Sequence, residues 1–127
     1  MYLGWNFNQP LDYSLHKLTN LTDLRLGWGF DQELNLPPNI KTLILECNNQ
    51  KLIDNLPNSI EQLHLDECFL LRLDNLPSCI KKISFDKFSK YNYPLNNLPI
   101  LLEQLELPRY YKLEIKNIPL NCKIIYL

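Results

Sequence analysis

Residues 35–45 read NLPPNIKTLIL, and the same eleven-residue phrase returns four times: NLPNSIEQLHL at 55–65, NLPSCIKKISF at 75–85, NLPILLEQLEL at 97–107 and NIPLNCKIIYL at 117–127. The windows align without an internal gap and begin 20, 20, 22 and 20 residues apart, so length varies only in the segments between them. A degenerate copy runs through Leu18, Leu21, Leu24 and Leu26. Self-similarity at this period marks a solenoid, in which each repeat is a unit that cannot bury its apolar side alone and stacked copies share one continuous core.

Each part of the phrase has a physical reading. The closing apolar–x–apolar triplet alternates with period two, so it predicts one short strand per repeat with its apolar residues on one side. Proline fixes its own φ, donates no hydrogen bond and pushes the preceding residue toward extended backbone, so Asn-Leu-Pro predicts a rigid corner. Two readings stand for Asn35, Asn55, Asn75, Asn97 and Asn117: a stacked ladder satisfying polar groups at a buried bend, or ordinary exposed turn residues. The expected fold is an α/β-type repeat solenoid, mostly β, with one short parallel strand per 20–23-residue repeat and little regular helix. Burial of each inward Leu or Ile contributes roughly 1.5–3 kcal/mol before entropy is subtracted.

The bulk properties agree with one globular unit. At 127 residues the chain accommodates one domain, 1–127. Hydrophobic residues make up 46% and charged residues 21%, which is ordinary globular usage. The net charge of −1 with scattered basic residues gives no electrostatic footprint for nucleic acid or an anionic membrane. The N-terminus lacks a signal-peptide pattern and no apolar run reaches membrane-spanning length, so a cytoplasmic location is expected, host cytoplasm if the source is viral. Cys47, Cys68, Cys79 and Cys122 form no C-x-x-C pair and have no close His partner, so no metal or other cofactor is expected and reduced, largely buried thiols are. A Cys47–Cys68 disulfide stands as the alternative for that pair.

The stretch LGWNFNQPL at 3–11 returns as LGWGFDQEL at 26–34, and LDYSLHKLTNLTDLRL at 11–26 lies between. With the later LPNSI, this combination resembles the FNIP repeat, a subclass of leucine-rich repeats seen in amoebae and in giant viruses. The resemblance covers nearly the whole chain. It implies a right-handed leucine-rich-repeat horseshoe serving protein–protein interaction. Family members often carry an F-box ahead of the repeats, which would make the repeats the substrate-recognition part of a ubiquitin ligase adaptor, although no F-box is expected ahead of the first repeat here. The Phe-Asn-Gln-Pro element decays after Phe30, so the later repeats are expected to have a convex side of their own.

Stacking turns sequence columns into surfaces. Two residues ahead of the first inward strand residue, Lys41, Glu61, Lys81, Glu103 and Lys123 alternate in sign, which favours this register. The outward strand positions are Asp23 and Arg25, Thr42 and Ile44, Gln62 and His64, Lys82 and Ser84, Gln104 and Glu106, Ile124 and Tyr126, and they are expected to line a concave face. Beside them Glu46, Asp66 and Asp86 form a run of carboxylates in adjacent turns. Either they splay into water at the strand ends, or they answer a partner with a basic segment. The candidate protein-binding residues are therefore Arg25, Ile44, Glu46, His64, Asp66, Ser84, Asp86, Glu106 and Tyr126. Trp5, Phe7, Trp28 and Phe30 are expected to pack between turns, with a binding patch as the alternative.

Non-catalytic binding through the concave face is the function these columns point to, with the ligase adaptor second and a hydrolase last. His64 with Ser84 one ladder step away has no evident oxyanion hole, and no phosphate loop is present. Neither end of the chain shows a polar cap, so self-association through the solenoid ends is expected, or the chain is part of a longer repeat protein.

Overall fold

The computed structural model describes residues 1–11 and 15–127. Asp12, Tyr13 and Ser14, which belong to the 11–26 stretch of the family resemblance, lie outside the described residues. Strands β1 (Tyr2–Leu3), β2 (Asp23–Leu26), β3 (Thr42–Leu45), β4 (Gln62–Leu65), β5 (Lys82–Phe85), β6 (Gln104–Leu107) and β7 (Lys123–Tyr126) form one parallel sheet in chain order. Each coil of the solenoid thus adds one strand. Leu43, Leu63, Ile83 and Leu105 stand side by side in the register, all at 0% exposure. Tyr2 pairs with Arg25 and Leu3 with Leu26, as the sequence alignment of the first coil requires.

The proline corners work through their carbonyls. In every coil from β3 onward the proline C=O accepts a hydrogen bond from the N–H three residues on: Pro37 from Ile40 at 3.3 Å, Pro57 from Ile60 at 3.3 Å, Pro77 from Ile80 at 3.4 Å, Pro99 from Leu102 at 3.0 Å and Pro119 from Cys122 at 3.0 Å. The corner is a turn that delivers Ile40, Ile60, Ile80 and Leu102 to the core. The five asparagines of the phrase are exposed, so the buried Asn ladder is not formed: the turn closes on the proline carbonyl. Asn117 takes a left-handed φ of 56°, a conformation that Asn tolerates better than most residues.

The side opposite the sheet is mostly extended chain. Among the described residues a 3₁₀ turn spans Leu15–Lys17 and one short α-helix, α1 (Gln50–Asp54), is capped by Asn49, whose Oδ1 accepts from the Leu52 N–H at 3.1 Å. It turns Leu52 and Ile53 into the core. Elsewhere aromatic rings fill the equivalent place. Phe7 stacks on Phe30 at 6.3 Å, and Phe69, Tyr91 and Tyr111 form a second stack at 6.2 and 6.4 Å. The two additional residues of the 22-residue spacing fall between β5 and Asn97, where the buried Ser89 Oγ accepts from the Tyr91 N–H and Tyr91 reaches the stack.

The last coil corrects the sequence reading. Lys123 pairs with Gln104, Ile124 with Leu105, Ile125 with Glu106 and Tyr126 with Leu107. A gapless repeat would have placed Ile125 against Leu105. Every residue from Ile124 to Leu127 is apolar, so alternation, which fixes register elsewhere, carries no information here. Ile124 therefore packs against the core, and Tyr126 leaves the outward row in which the sequence placed it. Lys123 likewise leaves the alternating charge column. That column holds where Lys41 Nζ lies 2.6 Å and Lys81 Nζ 3.1 Å from the two oxygens of Glu61. These contacts, exposed and screened, hold the Glu61 carboxyl below its usual range.

Candidate functional site

The open side of the sheet carries the row Arg25, Ile44, His64, Ser84, Glu106 and Ile125 in lateral register. Ser84 Oγ is hydrogen-bonded to His64 Nδ1. Glu106 lies on the far side of Ser84, where it pairs with Lys82 at 2.8 Å and accepts from Gln104 Nε2 at 2.5 Å. Burial pushes the half-buried His64 imidazole below its ordinary value, Lys82 adds to the effect and Glu106 opposes it. A relay of acid, imidazole and hydroxyl needs the acid on the imidazole. Here the acid neighbours the hydroxyl, and the other ladder neighbour of His64 is Ile44. The row is a polar surface with a fixed hydrogen-bond pattern.

The three carboxylates after the strands separate into two roles. Asp66 Oδ1 accepts from the N–H of Glu67, and Asp86 Oδ1 accepts from the N–H of Phe88 at 2.8 Å. Their own carbonyls accept from Phe69 and Ser89, so both side chains hold the turn that follows each strand. That contact supplies the structural reason for an acidic run that ladder repulsion would otherwise disfavour. Glu46 differs: it is 4% exposed and ion-paired with Arg25 through Oε1, while its Oε2 is buried without a hydrogen-bond partner. The Arg25 guanidinium also lies over the Tyr2 ring, 5.0 Å from its centroid.

Glu46 lines an open groove of about 440 Å³ together with Trp5, Asn6, Arg25, Trp28, Asp66, Glu67 and Cys68. Of the aromatic quartet in the first two coils, Phe7 and Phe30 pack between turns as expected, whereas Trp5 and Trp28 remain 68% and 66% exposed. Their placement depends on glycine. The Gly27 N–H donates to the Leu3 carbonyl and the Gly29 N–H to the Trp5 carbonyl, both at 2.9 Å, continuing the ladder through the turn. A Cβ at Gly27 would lie 2.5 Å from the Gly4 carbonyl oxygen, and one at Gly29 2.7 Å from that of Trp5. The chain has three glycines and two tryptophans, and all five stand in this pair of turns.

The structure thus brings Arg25, Glu46 and Asp66 to one groove, gathers Ile44, His64, Asp66, Ser84 and Asp86 around a shallower depression of about 200 Å³ with Glu106 beside Ser84 on the sheet, and moves Tyr126 off the row. Reading columns one at a time missed Glu67 and held a patch containing Trp5 and Trp28 only as the alternative to packing between turns. The repeated Leu-Gly-Trp, with every glycine of the chain around it, was the available signal. The four cysteines are unbonded; Cys47 is buried, with its thiol pushed up to about 11, whereas Cys68 is exposed, which corrects the expectation that these thiols are largely buried. Among the described residues, no three His, Cys, Asp or Glu side chains cluster as a metal site would require, and no helix is long and apolar enough to cross a membrane.

The comparison with curated proteins finds no match. Among solved structures, CroV588, a giant-virus protein described as having a novel circular leucine-rich-repeat structure, resembles this chain at 27% identity with a TM-score of 0.79 over 98% of the residues of this chain. The match occupies 20% of that protein, so this chain spans about a fifth of its length. The family model described as FNIP Repeat matches residues 30–68. Taken with one strand per coil and the recurring Asn-Leu-Pro corner, these matches make the chain a mostly-β parallel solenoid similar to leucine-rich-repeat structures, in which residues 30–68 resemble the FNIP repeat.

Proposed function

We propose that this solenoid is a non-catalytic protein-binding module that engages a basic segment of a partner along the open face of its sheet. The observation that carries the reading is the groove, where the carboxylates of Glu46, Asp66 and Glu67 face a single guanidinium, Arg25. Two exposed indoles in adjacent coils add apolar area that a soluble surface has little reason to display without a partner. The row from Ile44 to Glu106 extends the surface along the sheet, with side chains held by Ser84–His64 and Lys82–Glu106 contacts.

Affinity capture with the wild-type chain and with an Asp66→Lys/Glu67→Lys variant tests the reading. Loss of a captured partner carrying a Lys/Arg-rich segment is expected. An unchanged set of captured proteins removes the groove from consideration. The Ser84–His64 bond is the one feature favouring a hydrolase. A hydrolytic screen comparing wild type with His64→Ala tests it, and no difference between the two is expected.

A further inference from the structure

The groove has the composition of a receptor for one particular side chain. We propose that it takes an arginine of the partner polypeptide, whose guanidinium lies against the indoles of Trp5 and Trp28 and pairs with the carboxylates of Asp66 and Glu67 at the rim, above the buried charge of Glu46. This inference deepens the binding-module reading and rests on it.

Three observations converge. Glu46 is an almost fully buried carboxylate that lines the groove with only one oxygen engaged. Burying an ion is costly unless it is fully paired, and the Glu46 charge, which Arg25 engages through one oxygen only, adds to the pull on a second cation in the groove. The aromatic lining is the second observation. A guanidinium is planar and weakly hydrated, stacks on indole faces and bonds carboxylates through a fork of N–H groups, whereas an ammonium is a compact, strongly hydrated charge. The third is charge balance, three carboxylates against one guanidinium in the lining, which favours a cation over any neutral or anionic occupant. Arg25, already held between the Tyr2 ring and Glu46 Oε1, shows within the chain itself the contacts a guanidinium makes at this place.

Both tryptophans of the chain are in the groove, so intrinsic fluorescence reports its occupancy directly. The probe is the peptide acetyl-Gly-Arg-Gly-Arg-Gly-amide, compared with its lysine twin and with its citrulline twin, which keeps the shape and loses the charge. A saturable emission change is expected for the arginine peptide, with at least tenfold weaker binding of both twins. Trp28→Leu, at an exposed position, and Glu67→Gln, at the exposed rim, are each expected to weaken the arginine peptide at least tenfold by calorimetry without lowering the melting temperature. Glu46→Gln is expected to weaken it at least as far, and circular dichroism shows whether that variant is folded. If the lysine twin binds equally, or if binding ignores Trp28→Leu and is abolished by Glu106→Lys, the arginine slot is overturned while the basic-segment reading stands. If no basic peptide binds any version of the chain, both fall.

Discussion

Ile124 lies in register with Leu105, one residue earlier in the last coil than the repeat phrase would place it. The consequence can be measured. Ile124 packs against the core while Ile125 continues the outward row beside Glu106. Ile124→Ala is therefore expected to lower stability by about 1–2 kcal/mol, below the range for a fully buried site, and Ile125→Ala by less than about 0.5 kcal/mol. Urea midpoints of the two variants decide it, and the opposite order would mean that the last strand follows the gapless alignment.

Leu63 is at the centre of the inward row, with neighbours Leu43 and Ile83 in register and no exposed surface. Leu63→Ala is expected to cost about 2–5 kcal/mol, because packed coils on both sides limit how far the cavity can collapse. Chemical denaturation followed by circular dichroism measures the cost. A value under about 1 kcal/mol would be incompatible with a close-packed row.

Gly27 and Gly4 approach too closely for any side chain between them. Gly27→Ala is expected to force the first two turns apart and cost about 1–3 kcal/mol, as overpacking does. Because the displaced turns carry Trp5 and Trp28, tryptophan emission of the folded variant should change as well. Gly4→Ala, where an added Cβ meets nothing, serves as the control and should leave the emission unchanged.

His64 gives the fold a pH dependence of known sign. Its folded pKa is depressed below the ordinary 6.5, chiefly by burial, so the unfolded chain binds the proton more readily. Stability is then fully present above that value and is lost as pH falls through the folded pKa. The melting temperature should decline as pH falls below the ordinary 6.5 toward the depressed folded value, and His64→Gln should flatten the decline. Glu61 and Glu106, whose pKa values are lowered from 4.5 by their lysine partners, contribute their own loss only at lower pH, which keeps the two effects apart.

The sequence by itself determined the coil. Asn-Leu-Pro followed by alternating apolar residues dictates a turn and a strand through local rules, φ restriction and period-two burial, and repetition at a near-constant spacing forces the strands into lateral register. That is why Leu43, Leu63, Ile83 and Leu105, the Lys41–Glu61–Lys81 contacts and the outward row through His64 and Ser84 were all legible before any coordinates. Tertiary structure alone decided what depends on three-dimensional proximity or on choices the local pattern leaves equal. An all-apolar last strand fits either register, and packing of Ile124 against the core selected one. Glu46 and Asp66 share a column, yet only Glu46 lies under an arginine from the neighbouring coil, while Asp66 bonds its own turn. The groove arises because glycine lets two turns pack backbone to backbone, which sets Trp5 and Trp28 over carboxylates contributed by later coils.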